Sequence, residues 1–348
     1  MLNEKQLEEI REFLDSSRNP VFFFDNDPDG LCSYLLLRRF IGRGKGVIVK
    51  SSVTVNKHYF SMVERFKSDC IFVLDKPDID CGFIEEAKAK NIPIIHIDHH
   101  PVESNYSKTE HFFNPRNVSN THEPVSDICY RIARRKEDLW IACVGCVSDA
   151  FLPDFIKDLE KRSPELINKK YKSAFDILYK TELGKVVNLM SFSLRDNQRN
   201  IDSFIRFLID VNNASDLFQE NDKTKIFLKK YDELMERYKK FLDKAKSEIS
   251  GDILFFSYSG ETGFNRDMAN ELMYLFPEKI IVIAFIKNGK ANISLRWNCG
   301  DIRKLALEAI KGIDGAVGGG HEKALGVQMI AEDIPRFKEN LIKELGKS

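Results

Sequence analysis

Three aspartates, Asp25, Asp27 and Asp29, alternate through the segment DNDPDG, directly behind the apolar run VFFF. Carboxylates so spaced, followed by Gly30 and a helical stretch, cannot all face a core. A calcium loop of the EF-hand type needs an acid at its twelfth position and a helix on each side, whereas here an apolar strand comes first. A further acid, Asp75, ends the run CIFVLD, and Asp98, His99 and His100 end IPIIHIDHH. Burying three such neighbours unpaired would be costly. Asp149, in GCVSDAF, closes an otherwise apolar helix. Carboxylate oxygen combined with imidazole nitrogen suits Mn²⁺ or Mg²⁺ and excludes thiolate chemistry. Two such ions about 3.5–4 Å apart activate a water and hold both oxygens of an in-line phosphoryl displacement. One carboxylate must then bridge the pair, and an acid on a central strand is well placed to do so.

The elements that must position these residues follow from the apolar pattern. VFFF (21–24), GVIVKSSV (46–53), CIFVLD (70–75) and IPIIHID (92–98) read as buried strands. LCSYLLLRRFIGRG and the stretch around Gly82–Lys90 read as helices. Such alternation predicts an α/β domain with a parallel, helix-covered sheet, whose chemistry lies at the carboxyl ends of its strands. From about 152 to 250 the pattern is helical, ending in the long charged stretch KTKIFLKKYDELMERYKKFLDKAKSEIS, which reads as a solvated connecting helix. Strands return in DILFFSYS, KIIVIAFIK and ANISLRW, with a hairpin signature at Asn288-Gly289. Helices near 301–311 and 333–345 close a smaller C-terminal α/β domain. The expected division is 1–190, a helical connector 191–250, and 251–348, with the active site in the cleft between the domains.

The series DxDxDG, a lone Asp, DHH, a second lone Asp and a distant Gly318-Gly319-Gly320-His321 resembles the DHH superfamily of phosphoesterases with its DHH-associated C-terminal domain. The likeness runs through nearly the whole chain and leans toward the RecJ-like single-strand exonucleases. It implies two ions, Mn²⁺ or Mg²⁺. Asp27 and Asp29 would each take one, Asp75 would bridge them, and His99 and Asp149 would complete the second site. His100 would face the scissile phosphate, with Asp98 orienting a histidine. Arg296 and the loop Gly318, Gly319, Gly320, His321 resemble the family's substrate clamp, since consecutive glycines expose N–H groups to a phosphate and arginine offers a planar fork. Many relatives carry a histidine four residues before the first metal-binding aspartate; here that position is Phe23, and Asp25 is the ligand-type residue nearby. His96 reads as a core or supporting histidine, and His58, His111 and His122 have no motif around them.

These features imply a cytoplasmic enzyme that hydrolyses single-stranded DNA or RNA from an end to mononucleotides. Phe255, Phe256, Tyr258 and Phe264 could stack bases or fill the core. The alternatives are a nano-RNase with adenosine bisphosphate phosphatase activity, a cyclic di-adenylate phosphodiesterase, or a non-catalytic scaffold bound to replication proteins. Partners would be single-stranded nucleic acid or a short oligonucleotide, with replication or repair proteins admitted and no membrane. Lys+Arg and Asp+Glu balance at 53 each in 348 residues, which argues against long duplex DNA but allows a local basic groove. The N-terminal MLNEKQLEEIREFLDSS reads as a charged amphipathic helix, not a signal peptide, and no stretch approaches the roughly 20 apolar residues of a membrane span. The seven scattered cysteines read as reduced thiols. Cys143 and Cys146 form a CxxC with no second pair nearby, which points to core packing.

Overall fold

A computed structural model describes residues 1–50, 53–102, 109–119 and 121–346. The chain divides into two compact units, Met1–Tyr231 and Asp232–Ser348. In the first, five parallel strands form one sheet: β1 (Pro20–Asp25), β2 (Lys45–Val49), β3 (Cys70–Leu74), β4 (Ile94–Ile97) and β5 (His111–Phe113). Their order is β2-β1-β3-β4-β5. The chain therefore turns outward in opposite directions on either side of β1 and β3. In an open α/β sheet that reversal opens a crevice at the carboxyl ends of those two strands. The strand expected over 46–53 ends earlier, at Val49, and residues 51–52 lie outside the described range.

Alternation along β1 feeds two separate cores. Phe22 and Phe24 pack on one side of the sheet with Tyr34, Phe72 and Ile95, while Val21 and Phe23 pack on the other with Phe83, Ile71 and Val73. Apolar residues on both faces are what a parallel sheet covered by helices requires. Phe23, the position at which a histidine was absent, is fully buried in this second core. On β3, Ile71, Phe72, Val73 and Leu74 are likewise fully buried, each worth roughly 1.5–3 kcal/mol. That anchorage outweighs the roughly 1–2 kcal/mol cost of a left-handed backbone at the next residue, Asp75, whose φ is 57°.

Helix α1 (Glu4–Ser16) opens on a reciprocal cap between Asn3 and Gln6. Helix α2 (Pro28–Ile41) starts where the side chain of Asp27 accepts the N–H of Gly30, has proline in its first turn, and stops at the left-handed Gly42. Gly30 is needed for the close approach of α2 to β1, because a Cβ there would lie 2.7 Å from the backbone N and O of Asp25. The helix α3 (Cys81–Ala89) covers the other face, and α2 packs against α4 (Val125–Ala133) and α5 (Leu139–Ser148). Cys143 and Cys146 are fully buried in α5, and burial pushes both thiols well above their usual range, as core packing requires. Further helices follow, and α6 (Lys225–Ser247) carries the chain from the first unit into the second.

The second unit holds a six-stranded sheet of β6 (Ile249–Ser250), β7 (Ile253–Ser259), β8 (Ile280–Lys287), β9 (Lys290–Arg296), β10 (Val317–His321) and β11 (Ala324–Ile330). Its order is β10-β11-β9-β8-β7-β6, with β7 and β8 parallel and the remaining pairs antiparallel. Asn288 and Gly289, with φ of 51° and 72°, make the two-residue turn from β8 to β9, in keeping with the hairpin signature. Helices α7 (Asn265–Leu275), α8 (Ile302–Ala309) and α9 (Ile334–Leu345) complete the unit. Phe256, Tyr258 and Phe264 are buried, and Phe255 lies partly buried against this core under the ammonium of Lys338. Three of these four aromatics are buried and Phe255 is partly covered, so core packing describes them better than stacking.

Candidate metal centre

Every acidic motif of the first unit lies at the carboxyl end of a strand or helix, and the strand order brings those ends together. Asp25 is the last residue of β1, Asp75 follows β3, Asp98 follows β4, and Asp149 caps α5. Three overlapping groups result, in each of which the ligand atoms lie within 4.8 Å of one another: Asp25, Asp27 and Asp75; Asp29, His99 and Asp149; and Asp75, His99 and His100. Asp75 and His99 each belong to two groups.

Asp29 is fully buried, and its two oxygens accept the N–H groups of Val125 at 2.9 Å and Ser126 at 3.0 Å. These are the first residues of α4, so a helix N-terminus faces this carboxylate. Burial still lifts its pKa to about 7, with the nearby charge of Asp27 acting the same way. Asp75 is 2% exposed. Burial pushes it well above the carboxylate range, reinforced by the charges of Asp27, Asp29, Asp149 and Asp25. Its Oδ1 accepts no hydrogen bond, although His99 Nε2 stands 3.3 Å away. The same Nε2 is 3.2 Å from Asp149 Oδ2. Burial, helped by the charge of His100, drives His99 down to about 3, so its ring is neutral. A neutral imidazole places at most one proton on that nitrogen and cannot satisfy two carboxylates. A cation among these atoms would satisfy all three at once and oppose the upward push on the acids. The donor set therefore fits a hard divalent ion.

His100 differs from His99. Its Nδ1 lies 2.8 Å from Asp98 Oδ1, and its backbone N–H donates to Asp98 Oδ2 at 2.9 Å. Burial alone would lower His100, but the hydrogen bond and charge of Asp98 raise it. Burial would likewise raise Asp98, yet the bond from His100 and its charge hold it below its usual value. The Asp98 side chain is 2% exposed and that of His100 38%, so the acid is sealed while the imidazole reaches solvent. That arrangement fixes the ring through Nδ1 and leaves its other nitrogen unbonded among the described residues.

Several residues around the cluster carried no recognisable signal in the sequence. Asn114 donates to Asp98 Oδ2 at 3.3 Å and to the His100 carbonyl at 2.9 Å, and Arg116 Nε donates to the His99 carbonyl at 2.7 Å. Both brace the DHH turn from the segment after β5. His122 stacks edge-on against His99 with ring centroids 5.0 Å apart. Lys76 is fully buried, with Nζ 3.0 Å from Asp25 Oδ1. His96 is buried, and its Nε2 meets the Lys76 carbonyl oxygen at 2.5 Å, the supporting place expected for it.

In the second unit, Arg296 ends β9. Its Nε donates to Asn270 Oδ1 at 2.7 Å and its Nη1 to the Leu295 carbonyl at 2.8 Å. The register pairs Arg296 with Ala324 and Ala324 with His321, so the two clamp candidates share one row across β9, β11 and β10. Residues in register project to the same face. Gly318, Gly319 and Gly320 precede His321 on β10, all exposed. Gly320 has φ of 147°, and a Cβ there would lie 2.5 Å from the Ala324 carbonyl oxygen.

A family model described as the DHH family, N-terminal domain, matches residues 21–173, and one described as the DHHA1 domain matches residues 236–347. No curated protein matches the sequence significantly. Among solved structures, RecJ from Thermus thermophilus in complex with Mn²⁺ is similar at a TM-score of 0.67 and 14% identity, covering 99% of this chain. The chain spans 54% of the length of that RecJ. A pGpG-specific phosphodiesterase from Vibrio cholerae, PggH, has a TM-score of 0.52 and 14% identity, over 95% of this chain and 99% of its own. CDC45 from Entamoeba histolytica has a TM-score of 0.51 and 12% identity, over 99% of each chain. At these identities the likeness is one of fold.

Proposed function

The chain belongs to the DHH family and carries its phosphoesterase fold, and from that premise we propose a divalent-metal-dependent phosphodiesterase that releases mononucleotides from an end of a single strand. The observation carrying this reading is the convergence of Asp25, Asp27, Asp29, Asp75, His99, His100 and Asp149 from four separate segments around a shared Asp75. Asp27 and Asp29 would each serve one ion, Asp75 would serve both, and His99 and Asp149 would complete the second position. Ions of the Mn²⁺ or Mg²⁺ kind would supply positive charge to the phosphate and a nucleophile from water. Asp98 fixes the imidazole of His100, whose free nitrogen then offers a hydrogen bond to a phosphate oxygen. The non-catalytic scaffold reading predicts lost ligands, yet only the position of Phe23 departs from the family pattern.

A second reading shares every residue of the site: a phosphodiesterase confined to di- or short oligonucleotides. The balance of 53 basic and 53 acidic residues favours it, because a long strand gains affinity mainly from basic surface. One assay separates the two. Purified protein with Mn²⁺ is given end-labelled DNA and RNA of two to about twenty nucleotides, together with cyclic di-adenylate. The exonuclease reading predicts a ladder of mononucleotide steps on the longest strands. Cleavage confined to the shortest substrates supports the second reading, and no cleavage of any substrate refutes both.

The row of Arg296 and His321 is assigned to substrate phosphate or sugar. Losing a charge-assisted hydrogen bond costs about 1.5–3 kcal/mol. Arg296→Ala and His321→Ala are therefore expected to raise KM roughly 10- to 100-fold on short substrates, with a smaller change in kcat. Unchanged KM on every oligomer would remove the second unit from substrate recognition.

A further inference from the structure

We propose that Lys76 is a resident cation of the metal centre that makes its two ion positions unequal. The position built from Asp29, His99 and Asp149 loads first and tightly. The position built from Asp25, Asp27 and Asp75 loads at least about tenfold more weakly. This inference rests on the two-ion reading above and adds a regulation of that site.

The geometry begins at the missing histidine. Phe23 occupies its place and is sealed in the core between the sheet and α3. Asp25 is the ligand-type residue nearby, but its Oδ1 already accepts the N–H of Asn26 at 2.8 Å and the ammonium of Lys76 at 3.0 Å. Two donors use both lone pairs of that oxygen, leaving Oδ2 for a metal. Asp27 Oδ1 is similarly engaged by the N–H of Gly30 at 3.0 Å. The Lys76 side chain has no exposed surface, so water screens its charge very little. Its backbone is held by His96 on the neighbouring strand, and it directly follows Asp75, the acid shared between groups. A buried ammonium requires a counter-charge, and Asp25 supplies one. A divalent ion entering beside Asp25 then meets a positive charge within hydrogen-bond distance of one of its own ligands.

At the other position, the oxygens of Asp29 face the partial positive charge at the N-terminus of α4 and not a full ammonium charge. Those oxygens are held by neutral amides of Val125 and Ser126. Arg116 donates to the carbonyl oxygen of His99, so its charge reaches the imidazole from the backbone side and is not hydrogen-bonded to the ring, whereas that of Lys76 is bonded to the Asp25 carboxylate itself. The lysine thus sets a full positive charge against a ligand of the first position, where it repels the ion. Added negative charge, such as a substrate phosphate, would offset that repulsion, so the weak position fills most readily when substrate is present.

The test uses the full chain, stripped of metal and titrated with MnCl₂ by calorimetry, with bound manganese counted by elemental analysis after desalting. Wild type is expected to show two binding events at least about tenfold apart and to retain one ion per chain. Lys76→Met should tighten the weak event about tenfold or more, leave the tight one in place, and retain close to two ions. Lys76→Gln, which keeps a polar partner for Asp25, should shift it in the same direction if the methionine variant folds poorly. Two wild-type events within about threefold of each other would overturn the proposal while leaving the two-ion reading intact. So would a weak event that neither substitution tightens. Failure of wild type to bind any manganese would overturn both.

Discussion

Asp75→Ala is expected to lose at least the ~100- to 1,000-fold in single-turnover rate that follows removal of one electrostatic stabiliser, and to lose bound metal with it. Asp75 belongs to two of the three ligand groups, and the sheet order sets it between β1 and β4, next to both. No other carboxylate of the cluster is shared between groups. The same substitution has a second, opposite consequence in metal-free protein. Asp75 is buried among Asp27, Asp29, Asp149 and Asp25, whose charges all push its pKa upward. Removing it relieves that crowding and should stabilise the apo fold. The left-handed φ of 57° works against alanine, since aspartate and asparagine tolerate that region better by roughly 1 kcal/mol. Asp75→Asn is therefore the cleaner probe of charge. Its apo melting temperature should rise above wild type, while metal content and rate fall as for alanine. An Asp75→Asn protein that still holds two ions and turns over normally would show that the bridge lies elsewhere.

Much of this was legible because chemistry and periodicity coincide at strand ends. The buried runs of β1, β3 and β4 each finish in an acid, and a parallel sheet aligns such ends at one edge. That was enough to anticipate the sheet, the hairpin at Asn288-Gly289, and the gathering of the acids with His99. What stayed hidden depends on neighbours distant in sequence. β5 is only three residues long, HFF, too short for alternation to register. The pairing of Thr54–Val55 with Asp78–Ile79 is shorter still. Asn114 and Arg116 brace the DHH turn through backbone carbonyls, which leave no mark in side-chain spacing. His122 had no motif around it, yet the segment leading into α4 carries it to His99 because the N-terminus of α4 faces Asp29.

Lys76 is the most informative omission. A lysine after a strand and before a proline ordinarily points to water, and its charge gave no reason to expect otherwise. The structure buries it completely and sets its ammonium 3.0 Å from Asp25 Oδ1. The aromatics of β7 make the converse point. Phe256 and Tyr258 could equally have stacked bases or filled the core, and their alternation in ILFFSYS turns them inward.

Dependence of phosphodiester cleavage on a divalent ion at the carboxylate–histidine cluster is the claim on which the rest stands. Its most direct measurement is single-turnover cleavage of an end-labelled short oligonucleotide by protein stripped exhaustively with chelator, then reloaded with Mn²⁺ or Ca²⁺ in parallel. Stripped protein should show no cleavage above buffer, since without the ions neither the nucleophile nor the phosphate charge is provided for. Mn²⁺ should restore the rate, and Ca²⁺ should restore far less, because its bonds of about 2.3–2.6 Å and larger coordination number suit a compact paired site poorly. Full activity in exhaustively stripped protein would contradict the account.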